Sequence, residues 1–252
     1  MTVHDEAARG FQRGAAAYER GRPGYPRDAV RWLSTELGLE PGLTVLDVGA
    51  GTGKLTRELV PSGATVVAVE PVPAMRAVLE RVAPGVRALD GTAEALPLGD
   101  GTVDAVAVAQ AFHWFDGPKA VAEFHRVLRP DGRFGLIWNR RLVDEPLHRA
   151  VREIIEPYHR DSPSHHRGEW RRPVEDGGRF VAAGEIEVPS EQALDADAFV
   201  DRFSSISFIA ALPDPERASV VERLRALAGA AGAGGQPLRL GYTTEAYVYR
   251  RA

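Results

Sequence analysis

The chain has no cysteine, and its 252 residues include only two methionines. The absence of thiols excludes disulfides, thiolate catalysis and zinc–thiolate sites. Lysine is almost as scarce, at Lys54 and Lys119 alone, so nearly all positive charge is arginine. We read that bias, with the abundant Ala and Gly, as coding composition. The net charge is −4, and nothing in it suggests a nucleic-acid partner. No apolar run approaches the roughly 20 residues that span a bilayer. The first residues, with Asp5, Glu6 and Arg9, contain no apolar segment of the kind a secretory leader needs. The expectation is a cytoplasmic protein without a membrane partner.

What is present is a core-forming chain, 44% apolar, long enough for one large domain or a domain with an insertion. Apolar strand-like runs at 43–48, 64–69, 86–89, 103–109 and 134–138 alternate with helical patterns at 26–37, 54–60 and 73–83 and with a helix opening at Asp116-Gly117-Pro118. Alternation of this kind over about 100 residues implies a parallel sheet covered on both faces. Pro130-Asp131-Gly132 reads as a turn. After Asn139 the rhythm breaks, and residues 140–180 carry clustered His and Arg with little periodicity. A short strand at 185–188, a helix capped by Asp214-Pro215, a Gly/Ala linker at 229–236 and a strand at 242–249 complete the pattern.

The first strand runs into Leu46-Asp47-Val48-Gly49-Ala50-Gly51-Thr52-Gly53, and Glu70 closes the next strand. This is the pattern of a nucleoside site at the carboxyl edge of a parallel sheet. A phosphate-cradling P-loop would need Gly where Val48 stands and Ser or Thr where Leu55 stands. A dinucleotide turn would need its third glycine at Lys54, whereas the third glycine comes one residue early, at Gly53. Asp47 suits a cofactor with an ammonium group better than one with phosphates. S-adenosyl-L-methionine has an ammonium, a ribose and no phosphate.

At these residues the chain resembles the class I S-adenosylmethionine-dependent methyltransferases of the small-molecule type (methyltransferase type 11). The resemblance is carried by residues 47–53, by Glu70-Pro71, by Gly91-Thr92-Ala93-Glu94-Ala95-Leu96-Pro97-Leu98 and by Arg126-Val127-Leu128-Arg129-Pro130-Asp131-Gly132. Tyr18-Glu19-Arg20-Gly21-Arg22-Pro23-Gly24-Tyr25-Pro26 and Gln110-Ala111-Phe112-His113-Trp114-Phe115-Asp116 are similar to the branch that includes trans-aconitate methyltransferase-like proteins. The resemblance implies an α/β, Rossmann-like, seven-stranded and mostly parallel sheet with helices on both faces. Its last pair of strands would be an antiparallel hairpin, with a helical insertion near the C-terminus. It implies one domain over 1–252, with a cofactor-binding core at 26–139, an insertion or cap at 140–241 and a final strand at 242–251.

The same resemblance implies site roles. Gly49, Ala50, Gly51 and Gly53 would admit the cofactor to the backbone, where a Cβ would intrude. Asp47 would take its ammonium, and Glu70 and Pro71 would meet the ribose. Thr92 and Ala93 would meet the adenine. Gln110 would sit beside the reactive methyl. Tyr18 and Arg22 would close over the cofactor. His113 is the candidate base, and Tyr25, Trp114 and Trp138 the candidate acceptor walls. A carboxylate acceptor would need no base and would shift weight to Arg22 or Arg140. The expected reaction is methyl transfer to a small-molecule acceptor. The alternatives are a cofactor-binding protein of the same fold without transfer, and an NAD-linked oxidoreductase. His159, His165 and His166 match no metal-ligand spacing, and Arg171-Arg172 reads as a solvated face or a loop anchor.

Overall fold

The computed structural model describes residues 5–159 and 168–252. His165 and His166 lie outside the described residues. Seven strands form one sheet in the order β3-β2-β1-β4-β5-β7-β6. They are β1 (Thr44–Val48), β2 (Thr65–Val69), β3 (Arg87–Leu89), β4 (Val103–Ala109), β5 (Leu128–Arg141), β6 (Phe180–Leu194) and β7 (Leu238–Arg251). The first five pair in parallel, and β7 runs antiparallel to both β5 and β6. This is the mostly parallel, seven-stranded architecture expected.

Alternation along the strands builds two cores. Val45, Val66, Ala105 and Ile137 face α2 (Arg27–Glu36) and α3 (Lys54–Leu59), where Leu33, Leu55 and Leu59 are buried. Leu46, Val67, Val106, Phe134 and Trp138 face the other way. They meet Val121, Phe124 and Val127 of α5 (Gly117–Val127) and Val174 of α7 (Arg171–Glu175). Neighbouring strand residues point to opposite faces, so each apolar run buried on both sides feeds both cores.

A third core stands beyond the carboxyl edge. Residues 238–241 of β7 extend past the end of β5 and pair with β6 alone. This overhang packs with α6 (Pro146–Ile155), α8 (Ala196–Ser204), α9 (Ser207–Ala210) and α10 (Asp214–Ala231). Val151, Phe199, Phe203, Ile209 and Leu224 are its buried centre. The cap therefore sits over the sheet edge where a ligand binds in open α/β folds.

Several elements differ from expectation. Residues 128–141 are one strand, and the turn at Pro130 is a bulge within it, because the register jumps from Val103↔Leu128 to Ala105↔Arg133. β6 is fifteen residues long, not four. It is the edge strand, and it carries Pro189 and the alternating charges of Glu185, Glu187 and Glu191. These devices discourage edge-to-edge pairing and also hide the strand in sequence. α10 runs on to Ala231, into the expected linker. Asp214 lies in its first turn and pairs with Arg13 (2.6 Å) rather than capping it.

The largest addition is α1 (Asp5–Gly21), which lies against α4 (Pro73–Val82), α8 and α9. Gly10 breaks the helical pattern of the sequence, yet packing requires it. A Cβ there would run into the backbone carbonyl of Ser207. Glycine costs a helix about 1 kcal/mol relative to alanine, and here it permits the close approach of α1 to the cap. Among the described residues no helix is long and apolar enough to cross a membrane.

Candidate active site

The carboxyl ends of β1 and β2 hold the glycine turn in place by hydrogen bonding. The amides of Gly49 and Ala50 donate to the carbonyl of Val69, at 2.9 and 3.1 Å. Gly49 has φ +67°, and a Cβ built there would lie 2.9 Å from the Ala111 Cβ and 3.1 Å from the Phe115 ring. A side chain would therefore be penalised twice, by backbone strain and by collision. α3 starts at Lys54, directly after Gly53, so the turn feeds a helix N-terminus.

Two carboxylates brace this turn from behind. Glu70 accepts from the amide of Gly51 through Oε2 and from the amide of Val72 through Oε1, both at 2.8 Å. Asp47 accepts from the Thr56 hydroxyl through Oδ2 (2.6 Å), while its buried Oδ1 has no partner. Burial pushes Glu70 up to about 7, against its two amide bonds and helped by the charge of Asp47. Burial likewise pushes Asp47 up to about 6, opposed by Thr56.

Above the turn lies the end of α1. Arg57 donates to Glu19 Oε1 (2.7 Å), and Lys54 Nζ donates to the Glu19 carbonyl (2.9 Å). These bonds tie the helix to the start of α3. The guanidinium of Arg22 rests 4.8 Å above the Tyr18 ring. Between turn and helix is a narrow cleft of about 50 Å³, walled by Tyr18, Arg22, Tyr25, residues 49–52 and Gln110.

Gln110 links this cleft to a larger one. It follows β4 with φ +58°, the only non-glycine with positive φ among the described residues. Its amide donates to Ile137 O (3.0 Å). Such a conformation costs on the order of 1–3 kcal/mol and persists where the surroundings impose it, often at functional sites. Beyond Gln110 a cavity of about 340 Å³ opens under the cap. His113, Trp114, Tyr18 and Arg22 line it, and the His113 and Trp114 rings lie 5.2 Å apart. His159 also reaches it, edge-on to Phe208 at 5.2 Å.

Most of the expected residues therefore converge on two adjoining spaces. Gly49, Ala50, Gly51, Tyr18, Arg22 and Gln110 line the inner one. Asp47, Gly53 and Glu70 stand directly behind or beside its turn. Tyr25, expected as an acceptor wall, lines the inner cleft and is not among the residues lining the outer cavity. Pro71 faces a separate groove, with Val72 and Pro73, beside Gln12 of α1. Thr92 and Ala93 form the turn after β3, where the Thr92 carbonyl accepts from the Ala95 amide (3.2 Å) and Ala93 is buried. Neither lines the cleft.

Trp138 is a correction of substance. It is fully buried in the sheet core, with ring centroids 4.6 Å from Trp170 and 6.1 Å from Tyr247. It is no cavity wall. Arg140 is another correction. Its Nε pairs with Glu245, and Arg141 lines the cavity instead. Along a strand, one residue of offset reverses the face. Sequence reasoning missed Arg141, His148 and Arg202. They come from the end of β5, from α6 and from α8, and no local pattern joins them.

Residues 46–136 match the family model described as a methyltransferase domain. An uncharacterized methyltransferase of Mycobacterium tuberculosis (strain H37Rv) is 44% identical over 218 residues, covering 86% of this chain and 84% of the relative. The chain belongs to the methyltransferase family. A solved structure from Anaeromyxobacter dehalogenans, assigned as a type II methyltransferase, superposes with a TM-score of 0.66 at 28% identity, covering 91% of this chain and 97% of that one. A geranyl diphosphate methyltransferase solved with S-adenosylmethionine shares the fold at a TM-score of 0.54 and 19% identity, covering 90% of this chain and 85% of that one. The inner cleft of this methyltransferase lies at the carboxyl ends of β1 and β4.

Proposed function

We propose that this methyltransferase moves the methyl group of S-adenosyl-L-methionine to a small-molecule acceptor held in the 340 Å³ cavity beside His113. The observation that carries the reading is the pair of buried carboxylates behind a glycine turn. Asp47 keeps one buried oxygen unpartnered, a ready acceptor for an ammonium group. A carboxylate has about four lone-pair sites, and Glu70 uses two of them on backbone amides. The remainder suits a ribose diol. The glycine turn gives the backbone room where a Cβ would collide. The residues present fit the cofactor.

Once bound, the cofactor supplies an already activated methyl on a sulfonium. What the chain supplies is alignment and water exclusion, which can be worth about 7–11 kcal/mol. Tyr18 and Arg22 cover the cleft. Gln110 sits at the junction of the two spaces. His113 is placed in the cavity to take a proton from a hydroxyl or amine acceptor, worth roughly 10²–10⁴-fold where such a proton must leave.

Calorimetric titration with S-adenosylmethionine and S-adenosylhomocysteine tests the cofactor half, and labelled-methyl transfer tests the chemistry. Absence of binding by both ligands overturns the reading. Binding with no transfer to any acceptor would leave a cofactor-binding protein of the same fold.

A proton linkage follows from the raised carboxylates. Their ordinary values are 4.5 for Glu70 and 3.8 for Asp47, and the folded values are about 7 and about 6. The folded state holds protons that the unfolded chain has released. Their contribution to stability is therefore intact below about pH 4 and is lost as pH rises through 6 and then 7. A ligand that donates hydrogen bonds to the ionised forms recovers the loss. S-adenosylhomocysteine is expected to bind more tightly at pH 7.5 than at pH 5.5, with net proton release near pH 6.5. Titrations in buffers of differing ionisation enthalpy measure that release. Proton uptake, or none, would refute the assignment of the two carboxylates.

A further inference from the structure

Among the described residues, the outer cavity is lined by more positive charge than its acids neutralise. Arg22, Arg141 and Arg202 converge on it. Arg202 is 4% exposed. Its Nε donates to the Tyr242 hydroxyl (2.9 Å), and its buried Nη1 has no partner. Arg22 makes one long bond to the Ser205 carbonyl (3.4 Å), and its buried Nε has no partner. Aromatic faces rather than carboxylates hold these cations. The Arg202 Cζ lies 5.2 Å from the Phe203 ring and 5.7 Å from Tyr242.

Among the described residues the acid lining the cavity is Glu156, which stands 3.9 Å from Arg152 in its own pair. Burial, together with the charge of Arg202, pulls both Arg22 and Arg141 down to about 10. His148 adds no charge. Burial and the charges of Arg141 and Arg202 push it down to about 4, and its Nε2 meets the Gly241 carbonyl at 3.0 Å. A cation that gives up water without a counter-ion is costly. Three of them around one cavity is an arrangement that a bound anion completes.

The cofactor does not supply enough anion. Its methionyl group carries one carboxylate, which Arg22 can meet at the junction of the two spaces. Arg202 lines both spaces, and Arg141 lines the outer cavity and not the inner cleft. The rest of that cavity includes apolar surface from Trp114, Ile155, Ile206 and Phe208.

We propose that the methyl acceptor is an organic oxyanion, its carboxylate or phosphate head held between Arg141 and Arg202 and its apolar body against Ile155, Ile206 and Phe208. The guanidinium fork matches both head groups by paired N–H donors. This inference rests on the reading of the inner cleft as the cofactor site.

The test uses the full chain saturated with S-adenosylhomocysteine, titrated with hexanoate, benzoate and phenyl phosphate. Hexanamide and benzyl alcohol are the neutral controls. The anions are expected to bind at least about tenfold more tightly than the neutral compounds. Whichever anion binds better names the head group. Arg141→Ala is expected to weaken that anion by about tenfold or more while S-adenosylhomocysteine affinity stays within about twofold, and Arg141→Lys is expected to restore part of the loss. Neutral compounds binding as well as anions would overturn the proposal. So would no anion binding at all, or wild-type anion affinity in an Arg141→Ala protein that melts like the parent. Should S-adenosylhomocysteine itself fail to bind, the cofactor reading falls, and the anion titrations repeated without it decide the arginine site separately.

Discussion

Glu70→Gln is expected to weaken S-adenosylhomocysteine binding by more than about a hundredfold, at a pH near 8 where the parent carboxylate is ionised. The carboxylate accepts two backbone amides at 2.8 Å. An amide side chain offers one acceptor oxygen and a donating NH₂. One of the two buried amides, of Gly51 or Val72, then faces a donor, and that unsatisfied group costs about 1–3 kcal/mol of stability. The same change removes charge-assisted bonds to a ribose, each worth roughly 1.5–3 kcal/mol. Two such bonds give the hundredfold loss or more. The readouts separate the two roles. A brace for the turn alone predicts a lowered melting temperature with affinity within a few-fold of the parent. A ribose ligand predicts a loss of affinity far larger than the loss of stability can explain. Near pH 6 the difference between the parent and the Glu70→Gln variant should shrink, because the parent group, at about 7, is then largely protonated.

The parts of the molecule that could be read from sequence are those set by local rules. The β1 turn shows itself in Gly49, Gly51 and Gly53, because backbone conformation there demands glycine. β2 and β4 show as apolar runs, Val66 to Val69 and Ala105 to Ala109, because both of their faces are covered. The start of α5 shows in Asp116, whose side chain accepts from the Lys119 amide (3.4 Å). What stayed hidden depends on partners distant in the chain. The sequence pattern of α1 is interrupted by Gly10 because Ser207, distant in the chain, lies against it, a contact that no helical propensity encodes. β6 shows in sequence only as a short strand at 185–188, because an edge strand tolerates Pro189 and alternating acids. Arg202 looks like any helical arginine until Tyr242 and the cavity come to meet it. The glycine turn and its two carboxylates lie on consecutive βα units, β1 and β2, and are written locally. The outer cavity is assembled from separate segments, and tertiary packing alone defines it.

Trp138 separates packing from substrate contact with the largest expected effect on stability. The side chain is fully buried, at the centre of a cluster that includes Trp170, Tyr247, Phe134 and Val108. Truncating such a residue removes the transfer free energy of the indole and leaves a cavity that the sheet cannot close, a loss of about 3–5 kcal/mol. For a chain of this size that corresponds to a fall in melting temperature on the order of 10 °C. Trp138→Ala is therefore expected to melt far earlier than the parent. The fraction that remains folded at low temperature should bind S-adenosylhomocysteine with near-parent affinity. Trp138→Phe keeps most of the volume and should recover much of the stability. A wall of the acceptor site would behave in the opposite way, with little change in melting and a large rise in the acceptor KM. Scanning calorimetry of the two variants, read beside their ligand titrations, distinguishes these outcomes. A parent-like melting temperature for Trp138→Ala would mean that the ring contributes little to the core, against its packing with Trp170 and Tyr247.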